Sequence, residues 1–309
     1  MMIDLNALPL PQLAKSLLAT ADVDQLLDIA LHEDLAEAGD ITSASIIDPD
    51  VAATGRIVAR QSGIVAGLAV AMRLLDRVNS APMMKCLVED GEACEPEQAV
   101  AVLEGSLMQM LAFERPILNI LGRLSGIATL TRQYVQSVAG KSTVICDTRK
   151  TIPGNRALEK YAVRCGGGTL HRIGLNDAAL YKDNHLAHIP LAQLASALAV
   201  AAQRVRSEHD VRFVEVEVDS LEQLEQVLQI KPGLIDVVLL DNMSPRKMTK
   251  AVKMREAAGS SVLFEASGGV NLDSINAIAS SGVERIAVGA LTHSAIWLDF
   301  GLDMEPSLV

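Results

Sequence analysis

From Thr143 onward the chain repeats one rhythm, a short β-branched run, then polar residues, then a helical stretch. Strands are predicted at Val144–Cys146, Ala178–Tyr181, Phe213–Val218, Val237–Leu240, Val262–Phe264 and Ile286–Val288, and helices at 191–206, 221–228, 245–257 and 272–280. Alternating strands and helices imply a parallel sheet, because parallel neighbours need a crossover between them. Six or seven such units fall short of the eight of a complete barrel, which leaves an incomplete (β/α) barrel or an open doubly wound sheet. The residues after each strand separate the two. Thr148-Arg149-Lys150, Lys182-Asp183-Asn184, Glu217-Val218-Asp219, Asp241-Asn242, Glu265-Ala266-Ser267-Gly268-Gly269 and Gly289-Ala290 all stand at or just beyond a strand's C-terminal end. A barrel gathers those ends at one mouth, whereas an open sheet spreads them over two crevices, so the pattern favours an α/β fold with an incomplete barrel.

Before residue 115 the pattern is mixed, with a helix near 23–32, an extended 55–60, a helix near 68–78 and short strands at 84–88 and 99–103, which reads as a small α+β domain. Pro116 is expected in the first turn of a long helix whose apolar positions include Ile117, Leu121, Leu124, Ala128 and Val135. At 309 residues the chain is long enough for a large domain and a smaller one. Half of its residues are hydrophobic and only 3% aromatic, the balance expected of buried parallel strands under helices.

The net charge of −11 argues against a nucleic-acid or anionic-membrane partner, since both need an extended basic face. Cys86, Cys94, Cys146 and Cys165 form no CxxC or CxxH spacing, and the start Met1-Met2-Ile3-Asp4 lacks the regions of a signal peptide, so a cytoplasmic protein with reduced thiols is expected. No run is apolar and long enough for a membrane span. Nor is there a GxSxG, HExxH, Walker A or GxGxxG signature.

Against the acidic background, the segment from Arg149 to Asp183 carries Arg149, Lys150, Arg156, Lys160, Arg164, Arg172 and Lys182 but only Glu159, Asp177 and Asp183. A basic island threaded with glycines suits a small polyanion. A solvated loop would explain Arg149-Lys150 alone, but the same chemistry recurs at consecutive strand ends. Arg149, Lys150, Arg172 and Lys182 can fork onto carboxylates or face phosphates. His171 follows the run Gly166-Gly167-Gly168, where the backbone can approach a ligand. Glu217 and Asp241, at successive strand ends, are hard oxygen ligands suited to Mg²⁺ bound with a diphosphate. Ser267-Gly268-Gly269 and Gly289-Ala290 fit phosphate cradles. His185 and His188 have no third histidine or cysteine to make a zinc site.

These residues lie within longer motifs. Glu33-Asp34-Leu35, Gly39-Asp40-Ile41-Thr42-Ser43, Glu114-Arg115-Pro116-Ile117, Leu124-Ser125-Gly126-Ile127-Ala128-Thr129, Asp147-Thr148-Arg149-Lys150, Glu159-Lys160-Tyr161, Lys182-Asp183-Asn184-His185, Glu215-Val216-Glu217, Leu240-Asp241-Asn242, Glu265-Ala266-Ser267-Gly268-Gly269 and Val288-Gly289-Ala290 occur in that order. In these the chain resembles the quinolinate phosphoribosyltransferases, also called nicotinate-nucleotide pyrophosphorylases, over nearly its whole length.

The resemblance implies an N-terminal open-faced α/β sandwich over residues 1–116, joined by a C-terminal tail at 293–309, and an incomplete α/β barrel over 117–292. It implies a homodimer with sites at the subunit interface, and transfer of phosphoribosyl from phosphoribosyl pyrophosphate to quinolinate with loss of CO₂, Mg²⁺ accompanying the diphosphate. Arg149, Lys150, His171 and Arg172 would hold the acid, beside Thr148, with Arg115 reaching in from the second subunit. Lys182, Glu217, Asp241, Ser267, Gly268, Gly269, Gly289 and Ala290 would serve the ribose and phosphates, and Lys150, Lys182, Glu217 and Asp241 are the catalytic candidates. Two positions depart from the family pattern, Leu170 where Asn is common and Asn155 where a large apolar residue is usual. A molybdate-operon-associated paralogue with a different acceptor would lack the Lys182-Asp183-Asn184-His185 and Glu114-Arg115-Pro116 motifs. A catalytically silent metabolite-binding protein on the same scaffold would have lost some of Lys150, Lys182, Glu217 and Asp241.

Overall fold

The computed structural model describes residues 3–305, and its chain divides into two compact units. The sheet unit comprises Leu8–Arg132, Thr151–Gly167 and the residues from Leu291 onward; the barrel unit comprises the first seven residues, Gln133–Lys150 and Gly168–Ala290. Among the described residues no helix is long and apolar enough to cross a membrane.

In the sheet unit lie β1 (Ala52–Ala59), β2 (Gly63–Ile64), β3 (Met83–Cys86), β4 (Ala93–Cys94) and β5 (Ala99–Ser106). In the barrel unit are β6 (Val144–Cys146), β7 (Ala179–Tyr181), β8 (Val214–Val218), β9 (Val237–Asp241), β10 (Leu263–Ser267) and β11 (Arg285–Ala287), after which β12 (Phe300–Met304) belongs to the sheet unit again. Strand β12 pairs antiparallel with β1, giving a four-stranded sheet in the order β12-β1-β5-β3. The part of the expected tail at 306–309 lies outside the described residues.

Two features of the sheet unit differ from expectation. Pro116 lies inside one helix, Leu107–Ser137, and not in its first turn. The buried stripe Met110, Phe113, Ile117, Leu121 and Leu124 continues through the proline at helical spacing, so apolar burial carries the helix across a residue that costs about 3 kcal/mol in a helix interior. The expected boundary at 116 also differs from the contact division, which runs to Arg132 and adds Thr151–Gly167. The helix Arg156–Cys165 explains the addition. Its Tyr161 hydroxyl donates to Asp90 at 2.9 Å, its Glu159 pairs with Arg123 at 2.5 Å, and Gly166 after it packs against Thr131.

The motif Leu124–Thr129 is structural here. The Ser125 hydroxyl accepts the Ala66 N–H and donates to the Ala66 carbonyl, and Thr129 accepts the Ile64 N–H. Gly126 lets the returning chain lie against the helix: a Cβ there would collide with the Ile296 carbonyl oxygen and stand 3.0 Å from its carbonyl carbon, and the Leu298 N–H donates to the Gly122 carbonyl at 3.0 Å.

Every pairing in the barrel sheet is parallel, in the order β6-β11-β10-β9-β8-β7. Strands β7 to β11 follow one another and β6 joins β11, which is the cyclic order of a barrel with one open seam between β6 and β7. No reversal of direction occurs, so there is no switch point of a doubly wound sheet. At the seam a single parallel bridge joins Cys146 to Thr169, and the Thr169 N–H donates to Ile145 at 2.7 Å, laying an irregular seventh strand-like segment beside β6. The barrel is thus incomplete, as the strand ends implied.

Strand β8 reads Val-Glu-Val-Glu-Val, so Glu215 and Glu217 share one face. The register Glu217↔Leu239, Leu239↔Glu265 and Glu265↔Arg285 carries that level across the sheet. Strand β10, expected to stop at Phe264, runs on to Ser267 because Glu265 is an interior residue, bonded to Arg285 at 2.7 Å. Burial pushes the Glu265 carboxyl up, but His171 and Arg285 outweigh it and hold the group at about 2.

Two outcomes follow for stability. Gly126→Ala gains about 1 kcal/mol of helix propensity, but its Cβ would meet the Ile296 carbonyl oxygen, a backbone atom that cannot turn aside, which puts the overpacking cost at about 3 kcal/mol, so urea unfolding should show a net loss. Because the folded pKa of Glu265 lies below its ordinary 4.5, its stabilisation is complete above that value and is lost as pH falls toward about 2. Glu265→Gln should therefore cost on the order of 3 kcal/mol at neutral pH, and thermal melts should show the gap to wild type narrowing in acid.

Candidate active site

Strand β6 ends at Asp147, whose Oδ1 accepts the His171 N–H at 2.8 Å. Beyond it Thr148 Oγ1 accepts the Lys150 N–H at 3.1 Å, a tight turn that leaves Arg149 half-buried and Lys150 exposed. The Arg149 Nε is buried without a hydrogen-bond partner. Arg172 is buried and donates to the Ala178 carbonyl at 3.3 Å. Its pKa is lowered, first by burial and next by the positive charge of Arg149. Among the described residues neither guanidinium has a carboxylate within ion-pair distance. Two cations held close together and half-desolvated are costly, and an anion between them would relieve both.

A second group lies along β7, β8 and β9. Lys182 Nζ meets Glu217 Oε2 at 2.6 Å, and the Glu217 side chain is only 10% exposed. Asp241 ends β9 with its Oδ2 accepting from Asn242 at 2.6 Å, and its pKa is raised by burial and then by the charge of Glu217. Asp183, Glu217, Asp219, Gln223 and Asp241 line one cavity of about 310 Å³. Ser267 pairs with Asp241 across the sheet. Gly268 and Gly269 have φ of 93° and 62°, and a Cβ on Gly268 would lie 2.9 Å from the Asn242 backbone nitrogen. The glycines therefore let the loop after β10 close down on the loop after β9. Gly289 and Ala290 follow β11, Ala290 opening the short helix Ala290–His293.

His171 is buried next to Arg172. Its ring is buried, with Nδ1 accepting the Arg172 N–H at 2.8 Å and Nε2 at 2.9 Å from Glu215 and 3.2 Å from Glu265. Burial disfavours a charged ring, but Glu265 and Glu215 outweigh it and raise the ring's pKa; the Arg172 N–H works against protonation of Nδ1, because it needs that lone pair. The same three side chains bring metal-ligand atoms within 4.8 Å of one another, although Glu265 is already committed to Arg285. Sequence reasoning counted Glu265 only among loop residues and gave Glu215 no role; the alternation in Val-Glu-Val-Glu-Val was the signal that could have found Glu215.

The basic island of the sequence is divided between the two compact units. Arg149, Lys150, Arg172 and Lys182 belong to the barrel unit, whereas Arg156, Lys160 and Arg164 sit on the helix Arg156–Cys165 of the sheet unit, with Lys160 fully buried. Arg115 also belongs to the sheet unit, its side chain 64% exposed and paired with Glu114 at 2.7 Å. Leu170 is buried, and its backbone N–H and carbonyl are both bonded by the Asn6 side chain. Asn155 precedes the helix Arg156–Cys165 without a side-chain capping bond.

Comparison with known proteins gives these groups a context. Residues 40–125 match the N-terminal domain, and residues 127–303 the C-terminal domain, of quinolinate phosphoribosyl transferase. A nicotinate-nucleotide pyrophosphorylase [carboxylating] of Mycobacterium leprae is 43% identical over 277 residues, covering 89% of this chain and 94% of that protein. A probable nicotinate-nucleotide pyrophosphorylase [carboxylating] of Bacillus subtilis is 38% identical over 286 residues, covering 92% and 93%. Among solved structures, the nicotinate-nucleotide pyrophosphorylase from Francisella tularensis superposes with a TM-score of 0.83 at 35% identity, covering 99% of this chain and all of that one. The chain belongs to the quinolinate phosphoribosyltransferase family.

Proposed function

We propose that this protein transfers phosphoribosyl from phosphoribosyl pyrophosphate to quinolinate with decarboxylation, giving nicotinate mononucleotide, pyrophosphate and CO₂, a step of de novo NAD synthesis. The observation that carries the reading is the pair of guanidinium groups, Arg149 and Arg172, near enough to repel and lacking carboxylate partners, in the same unit as a carboxylate-lined cavity at Glu217 and Asp241. A pyridine dicarboxylate answers the first, and a sugar diphosphate with its cation answers the second.

In the reaction the C1′–O bond to pyrophosphate breaks and the pyridine nitrogen bonds to C1′. The sugar passes through an oxocarbenium-like state, which Glu217 and Asp241 stabilise electrostatically. No covalent nucleophile is needed. The bond from ring C2 to its carboxylate then breaks, CO₂ leaves, and the electron pair left on C2 lies beside a ring nitrogen made cationic by glycosylation before a proton replaces it. Arg149, Lys150 and Arg172 orient the acid, and Lys182 balances charge on the phosphoribosyl side. Ser267, Gly268, Gly269, Gly289 and Ala290 complete the phosphate loops.

A divalent cation suits the second group, since burial and Glu217 both raise the Asp241 pKa and added positive charge would reverse that. Glu217 and Asp241 would hold Mg²⁺, whose charge would offset that of the diphosphate. We further propose a homodimer in which exposed Arg115 enters the partner's acid pocket. The retained Lys182-Asp183-Asn184-His185 and Glu114-Arg115-Pro116 motifs weigh against the molybdate-associated paralogue, and the intact Lys150, Lys182, Glu217 and Asp241 weigh against a silent binding protein.

Incubation with quinolinate, phosphoribosyl pyrophosphate and Mg²⁺ should yield nicotinate mononucleotide; no product, with nicotinate or another acid accepted instead, would sink the assignment. Arg149→Lys should raise the KM for quinolinate about tenfold or more, by losing a forked charge-assisted bond, while moving the KM for phosphoribosyl pyrophosphate little. Arg115→Ala and Lys150→Ala should each be inactive, and mixed dimers of the two should recover part of the activity. Verified mixed dimers without recovery would count against a shared site.

A further inference from the structure

The main chain just before His171 and Arg172 is held from a part of the sequence that none of the motifs reaches. The run Gly166-Gly167-Gly168 gives that stretch unusual backbone freedom, with Gly167 at a φ of 89°. Anchors beyond it remove the freedom. Along one edge Thr169 is bonded to β6, its N–H donating to the Ile145 carbonyl at 2.7 Å and its carbonyl accepting the Asp147 N–H at 3.1 Å. The His171 N–H donates to the Asp147 carboxylate at 2.8 Å. Further on, the Asp177 carboxylate accepts the N–H groups of Ile173 and Gly174, each at 2.8 Å.

In an extended segment successive residues turn their N–H and C=O groups to opposite edges, so those of Leu170 face away from β6. Leu170 is only 1% exposed, and a buried peptide group without partners is costly. The partner is a single side chain 164 residues away, that of Asn6: its Oδ1 accepts the Leu170 N–H at 2.7 Å and its Nδ2 donates to the Leu170 carbonyl at 2.9 Å. A carboxamide carries the donor and the acceptor of a peptide group, so Asn6 stands where a neighbouring strand would. Its own place is set by a turn at Asp4, whose carboxylate accepts the Asn6 N–H at 3.0 Å and whose carbonyl accepts the Ala7 N–H at 3.1 Å. The first seven residues accordingly belong to the barrel unit.

A segment fixed along one edge can still roll about that edge, and a roll at Leu170 moves the Arg172 side chain two residues on. We infer that Asn6 is a positioning residue for the acid pocket: by holding both main-chain groups of Leu170 it keeps His171 and Arg172 in the setting that receives the acid. This rests on the reading of Arg172 as a quinolinate ligand. Without the clamp that setting is one of several, and the apparent affinity falls by the fraction of molecules that occupy it.

The test compares wild type with Asn6→Ala by calorimetric affinity for quinolinate and by steady-state KM and kcat. The variant should bind quinolinate about threefold to tenfold more weakly, with the KM for phosphoribosyl pyrophosphate and the kcat at saturation unmoved. A clamp that served stability alone would lower the melting temperature and leave the folded protein's affinity as it was. Wild-type quinolinate affinity in folded Asn6→Ala would therefore overturn the proposal, and so would an equal rise in both KM values. Should the alanine variant fail to fold, Asn6→Asp decides. It is nearly the same size and still accepts the Leu170 N–H, but it loses the donor and sets a carboxylate against the Leu170 carbonyl; quinolinate should again weaken, and unchanged affinity would overturn the proposal.

Amide hydrogen exchange without substrate reads the clamp independently of turnover. The Leu170 amide should be protected in wild type and open in the variant, while the Ile173 and Gly174 amides, held by Asp177, keep their protection. Equal Leu170 exchange in the two proteins would refute the clamp. A wild type that neither binds nor converts quinolinate would overturn the proposed function instead, and the exchange would still decide whether Asn6 holds this segment.

Discussion

A parallel sheet curled almost into a barrel ordinarily fills its interior with branched aliphatic side chains, and here Glu215, Glu265, Arg285 and His171 occupy that space. Two carboxylates with no exposure to water are tolerable only if their charges are met at close range. Arg285 meets Glu265 through a 2.7 Å bond, and the His171 ring meets both acids from the segment that runs beside β6. The network therefore ties strands β8, β10 and β11 to the irregular chain at the open seam. The seam lacks the regular ladder that would otherwise hold it, and its order rests on a single bridge at Thr169, the Asp147 carboxylate and this buried ring.

The proposed chemistry stands on what that network leaves unpaired. Among the described residues Arg149 and Arg172 have no carboxylate within ion-pair distance, and burial followed by the repulsion from Arg149 lowers the Arg172 pKa even though Glu215 and Asp177 partly offset it. Lys182, Glu217 and Asp241 form a group of opposite character, in which negative charge exceeds positive. The division suits two dissimilar reactants, an aromatic diacid and a cation-bound sugar diphosphate.

Much of the fold was legible in the sequence. The β-then-α alternation after Thr143 predicted six strands, and all six form one parallel sheet in barrel order. Prediction stopped one strand short at Glu265, because a charged residue signals a strand's end unless a partner such as Arg285 waits inside. It misplaced the start of the long helix at Pro116, because a proline marks a first turn unless a buried stripe continues through it. The motif Leu124–Thr129 could be recognised but not explained from sequence, since its use is to meet Ala66, Ile64 and Trp297, which lie far off along the chain.

Sequence alone determined the α/β class, the incomplete barrel and the presence of charged side chains at consecutive strand ends, because periodicity and strand-end position are local properties of the chain. Only the tertiary structure decided what each charge does. It assigned Arg156, Lys160 and Arg164 to a different compact unit from the strand-end cations, brought His171 against Glu215 and Glu265, and left Arg149 near enough to Arg172 to add to the lowering of its pKa by burial. Pairing and burial depend on neighbours brought from distant strands, and no spacing along the chain encodes those distances.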